Sequence, residues 1–283
     1  MIRSAQVTEV QKNIGPGEPA IEAVVEDLTP PPKSRSKTWI VRLISIVVVL
    51  GGWEILGRQV NPLFMSHPLA IMKAGAVLVA NGELFEALKS SMMTLVVGFV
   101  TASVIGITIG LAIGRYRYVD AATDWIVNAL YATPLIAIIP LVILWFGLGD
   151  TAKLFIVTIL AVFPVLINTA SGVRNVPSAL IDVGAAFAAN ERQVFMKIIL
   201  PAVLPYIMTG LRLGIGRSII GMVAAEFFTA ITGLGALIVK YGNQYDTASM
   251  FVPIFILMFL GITLTTLVRR AEEMFAPWRG TDE

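Results

Sequence analysis

Apolar residues gather into six runs, at about 39–56, 92–114, 125–146, 152–170, 207–228 and 250–268. Each is close to the roughly 20 residues that an α-helix needs to cross a hydrocarbon core. In lipid every backbone polar group must find its partner inside the protein, so such runs are expected to be helices. Residues 68–91 are also apolar but are broken by Lys73, Asn81, Gly82, Glu83, Glu86 and Lys89. That pattern predicts one or two interfacial helices between the first and second runs, not a further span. The expected fold class is therefore all-α integral membrane, with six transmembrane helices.

Two of the runs carry small residues four apart. Gly98, Ala102, Gly106, Gly110 and Gly114 lie on one stripe of the second, and Gly210, Gly214 and Ser218 on one stripe of the fifth. Apolar side chains gain little by leaving equally apolar lipid tails, so close backbone approach is what drives helices together there. These stripes predict tight helix contacts.

Composition agrees with a bilayer as solvent: 56% of the 283 residues are hydrophobic and 14% charged, with a mean hydropathy of +0.80. The net charge of +2 supplies no field for nucleic acid. With no cysteine and a single histidine, His67, thiolate or histidine-cluster metal sites and cysteine nucleophiles lack their ligands. No metal or cofactor is expected. No Gly-x-x-x-x-Gly-Lys-Ser/Thr loop is present, so ATP hydrolysis would fall to another subunit.

Residues 1–38 hold five acids, a Pro30-Pro31-Pro32 run and Lys33, Arg35 and Lys37, without an early apolar core, which argues against a secretory signal. They read as a flexible cytoplasmic tail, or as a docking segment for a partner. With the amino terminus inside, the cytoplasmic connections collect Arg42, Arg115, Arg117, Arg174, Arg192, Lys197, Arg269 and Arg270, leaving Arg58, Lys73, Lys89, Lys153 and Lys240 outside. This bias predicts that both termini are cytoplasmic. The domains expected are the tail 1–38, a first span with a periplasmic interfacial segment over 39–86, a core over 87–270 and a cytoplasmic tail 271–283.

The connection over 172–206 is long for a compact membrane domain and looks folded. Pro177 can open a short helix through Phe187; Ala188-Ala189-Asn190 makes a bend. Asn190 and Gln193 have capping-box spacing, so a second helix should start there and run to about Leu200, where Pro201 interrupts it.

From Asp182 to Pro201 the spacing resembles the EAA loop of binding-protein-dependent ABC permeases: Glu-Ala-Ala, three residues, Gly, nine residues, Ile-x-Leu-Pro. Ile198, Leu200 and Pro201 fall in register. The stretches 144–149, 163–169 and 205–212, with Gly216-Arg217, also resemble that family, in the branch that imports nitrate, sulfonates and taurine. The likeness runs from about Trp39 to the end of the chain. Asp182 replaces the glutamate, Val183 and Gly184 the alanines, and Ala188 the loop glycine. Aspartate keeps the charge with a shorter reach, and Ala188 suits the turn only if its φ stays negative.

The resemblance implies a non-enzymatic permease subunit of an inner-membrane importer, paired with a second copy of itself, two cytoplasmic ATPase subunits and a solute-binding protein outside. The loop would be the coupling helix, between the fourth and fifth spans, seated in a groove of the ATPase. Leu180, Phe187, Val194 and Phe195 are its apolar anchors; Asp182, Glu191 and Arg192 its polar contacts; Gly184, Ala188 and Pro201 shape it. ATP-driven closure would open the path outward and hydrolysis would reset it. Small anions such as sulfonates or nitrate come first as substrate, with uncharged vitamin precursors and aromatic acids left open.

Ionisable groups inside a membrane are costly and point to function or to a partner. Arg217 and Glu226 are nine residues apart on one helix, about 13 Å, too far to pair readily. Glu226 should find a structural partner, and Arg217 either a partner or a watery path. Pro134 and Pro140 interrupt the third run and Pro164 the fourth, freeing carbonyls that must face protein or water. Asn128, Thr133, Asn168 and Arg217 are the candidate path residues, although ordinary bundle packing explains the first three as well. A secondary transporter or channel driven by an ion gradient is the rival reading. It would predict an inverted repeat and several mid-membrane acids or histidines, which are not found.

Overall fold

The computed structural model describes residues 35–229 and 231–275, which leaves most of the expected 1–38 tail and most of the 271–283 tail outside the described residues. The fold divides into two units between Ile55 and Leu56. The first contributes most of α1 (Arg35–Gln59). Its apolar side chains from Trp39 to Leu50 are exposed, as suits a helix solvated by lipid.

The second unit holds α2 (Pro68–Ala80), α3 (Glu83–Arg115), α4 (Arg117–Ala132), a 3₁₀ turn (Leu135–Ile138), α5 (Ile139–Phe146) and α6 (Asp150–Arg174). There follow α7 (Ser178–Ala186), α8 (Glu191–Val194), a π turn (Phe195–Ile199), α9 (Leu200–Thr229), α10 (Leu234–Asn243) and α11 (Thr247–Phe275). Among the described residues, five helices are long and apolar enough to span a membrane, and α4 with the 3₁₀ turn and α5 makes a sixth, broken candidate. The all-helical architecture with its six runs is as expected. The interfacial segment resolves into α2 alone, since Glu83 to Ser91 begin α3.

α6 is the central helix, and glycines on both neighbours admit it. A Cβ at Gly98 would lie 2.6 Å from Val157, one at Gly106 2.9 Å from Val165, one at Gly110 2.7 Å from the Leu166 carbonyl and one at Gly114 2.5 Å from Val173. Gly210 and Gly214 of α9 approach the same Val165 to 3.1 and 2.9 Å in the same sense. The two stripes thus meet the same helix on adjoining faces, both reaching Val165, which is close packing taking the place of a hydrophobic driving force.

The prolines act differently from one another. Pro134 ends α4: Thr133 before it is pushed to an extended conformation (φ −71°, ψ 134°), as expected of a residue preceding proline, and the chain turns by 84°. The third run is thus broken outright, and its first half reaches back to Arg117. Pro140 sits in the first turn of α5, where its missing N–H costs nothing. Pro164, expected to interrupt the fourth run, lies inside a continuous α6. Pro201 does not end its helix either, because α9 runs on to Thr229. The π turn just before it absorbs the problem: the Leu200 N–H reaches back five residues to the Phe195 carbonyl, widening the helix where the proline ring would otherwise crowd it.

Candidate functional site

The connection between α6 and α9 is a helical hairpin built from local rules. Asn190 and Gln193 form the expected capping box, with side chain and backbone bonded reciprocally at 2.9 Å. The first helix, α7, closes with Ala188 N–H on the Ala185 carbonyl and Ala189 N–H on the Gly184 carbonyl, both at 2.9 Å. This is the glycine-type termination, and Ala188 takes its left-handed position with φ +49°. The expectation of a negative φ at Ala188 is therefore overturned: the bonds donated by the Ala188 and Ala189 N–H groups hold the turn against the alanine's steric preference. Left-handed backbone costs a non-glycine residue about 1 kcal/mol. Ala188→Gly is accordingly expected to slow hydrogen exchange across residues 178–194 by about fivefold, measured by mass spectrometry. Gly184 has a separate reason to lack a side chain, because a Cβ there would come within 2.8 Å of Ile198.

The hairpin's residues divide by exposure. Phe187 is 83% exposed and Leu180 45%, with Ile181 and Val183 beside them and Asp182 also exposed. They make an apolar patch on a short rigid element. Val194 and Phe195 were expected to be anchors of the same kind but are half-buried, packed on the cluster of Val173, Ile199, Val203 and Ile207. The reason is geometric: the capping box and π turn rotate that stretch inward. Glu191 and Arg192 remain exposed and line a groove with Arg115 and Tyr116, while Pro201 is exposed on the first turn of α9.

Of the four candidate path residues, two come together. Thr133 and Arg217 line one cavity of about 410 Å³ at the break after α4, walled by Tyr131, Pro134, Phe163 and Ile220. Thr133 donates to the Ala129 carbonyl at 2.9 Å. Arg217 makes no hydrogen bond or ion pair with any described residue. Asn128 lies elsewhere, donating to Asp124 at 2.9 Å beside Arg174, which pairs with Asp120. Asn168 turns its amide back onto the Pro164 carbonyl at 2.8 Å.

A buried polar cluster at the other end of the bundle was only partly anticipated. Glu226, fully buried, has the expected partner, but it is not a base: Ser91 donates to one carboxylate oxygen at 2.7 Å and the Gly235 N–H to the other at 2.8 Å. The Leu234 N–H in turn donates to Ser91 at 2.8 Å. Lys153, expected in an outside connection, is 1% exposed; it donates to the Thr232 hydroxyl at 2.8 Å and lies 3.5 Å from Asp150. The cluster fixes the 231–235 segment against α3, α6 and α9. Its sequence signal is the Thr232-Gly233-Leu234-Gly235 run soon after an intramembrane glutamate. Nearby, Glu83 pairs with Lys240 and accepts from Tyr241, whose phenol is pushed up to about 12 by burial and by that carboxylate.

The model of the family described as binding-protein-dependent transport system inner membrane component matches residues 102–280. The nitrate import permease protein NrtB of Leptolyngbya laminosa is 30% identical over 234 residues, covering 80% of this chain and 83% of that one. The taurine transport system permease protein TauC of Escherichia coli K12 is 28% identical over 255 residues, covering 88% and 92%. Among solved structures, an inward-facing conformation of the MetNI methionine ABC transporter aligns with a TM-score of 0.55 at 23% identity, over 68% of this chain and 96% of that one.

Proposed function

Since the chain belongs to the binding-protein-dependent transport system inner membrane components, and so is a membrane-spanning permease subunit of an ABC importer, we propose that it carries a small oxyanion through the cavity of Thr133 and Arg217. Its work is translocation, alongside an ATPase and a solute-binding protein. In this reading the core is 87–270, both termini are cytoplasmic, and two copies sit side by side in the bilayer. Leu180, Asp182 and Phe187 dock on the ATPase with Glu191 and Arg192 at the rim, while Gly184, Ala188, Phe195 and Pro201 hold the hairpin's shape. Because the hairpin continues directly into α6 and α9, its displacement moves both walls of the path as rigid elements.

The observation that carries the substrate class is Arg217: a guanidinium at span depth, with no partner among the described residues, facing a cavity. A charge there is costly unless a ligand or water compensates it. Relatives named for taurine and nitrate transport point to the same chemistry. The test is uptake into proteoliposomes holding the complete complex, with nitrate and taurine as probes. Arg217→Gln is expected to lower uptake of the transported anion by about tenfold or more, the worth of one charge-assisted hydrogen bond, with assembly unchanged. Equal uptake by the variant, or preference for an uncharged solute, would remove Arg217 from the path.

A further inference from the structure

A groove of about 580 Å³ lies between the end of α3 and the coupling hairpin, lined by Thr108, Leu111, Ala112, Arg115, Tyr116, Glu191, Arg192 and Phe195. Two of its features point to one kind of occupant. Arg115 and Arg192, one on a span and one on the hairpin, are both exposed, and neither side chain bonds to any described residue. Behind them Leu111, Ala112 and Phe195 form an apolar wall that continues up α3.

α3 is 33 residues long, about 50 Å, against roughly 30 Å of hydrocarbon. Arg115, its last residue, and the exposed Tyr116 therefore lie at headgroup level, on the cytoplasmic side in the orientation proposed above. Basic pockets between spans on that side suit anionic headgroups.

We propose that this groove binds an anionic phospholipid of the phosphatidylglycerol type, and that the lipid bridges the fixed span to the moving hairpin. The phosphodiester lies between Arg115 and Arg192, and one acyl chain follows Leu111 and Phe195. Glu191, the single acid in the groove, accepts from the glycerol hydroxyls. The net positive charge, reinforced by Arg117 nearby, selects against zwitterionic headgroups. The inference rests on the importer reading for its orientation and its consequence, since a lipid on the hairpin would tune coupling.

The experiment places p-benzoylphenylalanine at Tyr116 in the full chain, assembled with its ATPase in nanodiscs of phosphatidylcholine, phosphatidylethanolamine and phosphatidylglycerol, and identifies the photo-adduct by mass spectrometry. A phosphatidylglycerol adduct, enriched over its share of the bilayer, is expected. Arg115→Gln should lower it about fivefold and Arg115→Lys should restore most of it. Adducts without headgroup preference, no change in Arg115→Gln, or an adduct with a peptide from residues 1–34 or the ATPase would each overturn the proposal. Loss of the adduct with stimulated ATP hydrolysis intact defeats the lipid site alone. An intact adduct on a chain that recruits no ATPase defeats the importer reading instead.

Discussion

Gly110→Val is expected to melt several degrees below the wild type in detergent, followed by tryptophan fluorescence, and to abolish uptake. A Cβ at position 110 would lie 2.7 Å from the Leu166 carbonyl oxygen and 2.8 Å from the Thr169 Cβ. The obstacle is backbone, which has no alternative rotamer, so the two helices must separate. Overpacking of this kind costs about 1–3 kcal/mol, and a branched side chain against a carbonyl falls at the upper end. Because Gly98, Gly106 and Gly114 make similar approaches to the same helix, separation at 110 loosens the seam on both sides. Gly216→Val is the control. Nothing lies within 4 Å of a Cβ there, so it should melt like the wild type although it also adds bulk to a span. Equal melting of Gly110→Val and Gly216→Val would mean that α3 and α6 do not meet along the glycine stripe.

Glu226→Ala is expected to be at least as damaging, for a different reason. Its carboxylate accepts from the Ser91 hydroxyl and the Gly235 N–H in a site without solvent exposure. Removing it orphans two donors at about 1–3 kcal/mol each, and it also opens a cavity. Glu226→Gln keeps the volume but turns an amide donor toward one of those donors, so its stability should fall between the wild type and Glu226→Ala. Gly233 supplies an independent check. It sits at φ +110°, and a Cβ would come within 2.1 Å of the Glu226 carboxylate. Gly233→Ala should therefore destabilise by itself. In the double variant Glu226→Ala/Gly233→Ala the clash is gone, so the combined loss should be smaller than the sum of the two. Strict additivity in thermal melts would show that the two residues are not in contact.

The order of spans, the glycine stripes and the capping box were legible because each depends on residues close in sequence: helix length, four-residue spacing, a three-residue reciprocal bond. The family likeness was legible for the same reason, in the register of Ile198, Leu200 and Pro201. What escaped depends on distant partners. Lys153 reads as an ordinary outside charge until Thr232 closes over it, 79 positions away. Asn128 and Asn168 had the right chemistry for a path but satisfy Asp124 and the Pro164 carbonyl one turn away. The prolines make the same point, since Pro134 breaks its helix and Pro164 does not. Residue type sets which hydrogen bond is lost, and the packing around it decides whether the chain turns or runs straight on. At Ala188 residue type alone favours a negative φ, but the carbonyl bonds at the end of α7 outweigh about 1 kcal/mol of strain.

In the function proposed above, the exposed tip of the α7–α8 hairpin transmits ATPase movement to the spans. The most direct test of this role is ATP hydrolysis by the reconstituted complex, with and without the binding protein, for the wild type and for Phe187→Asp. Phe187 is 83% exposed, so the substitution should leave the chain's own melting unchanged while setting a charge in the apolar docking contact. The predicted result is a wild-type complex whose hydrolysis rises with the binding protein, and a folded Phe187→Asp chain that recruits the ATPase weakly and shows no stimulation. A Phe187→Asp complex that assembles and responds like the wild type would rule out this coupling role, as would a correctly inserted wild-type chain that associates with no ATPase.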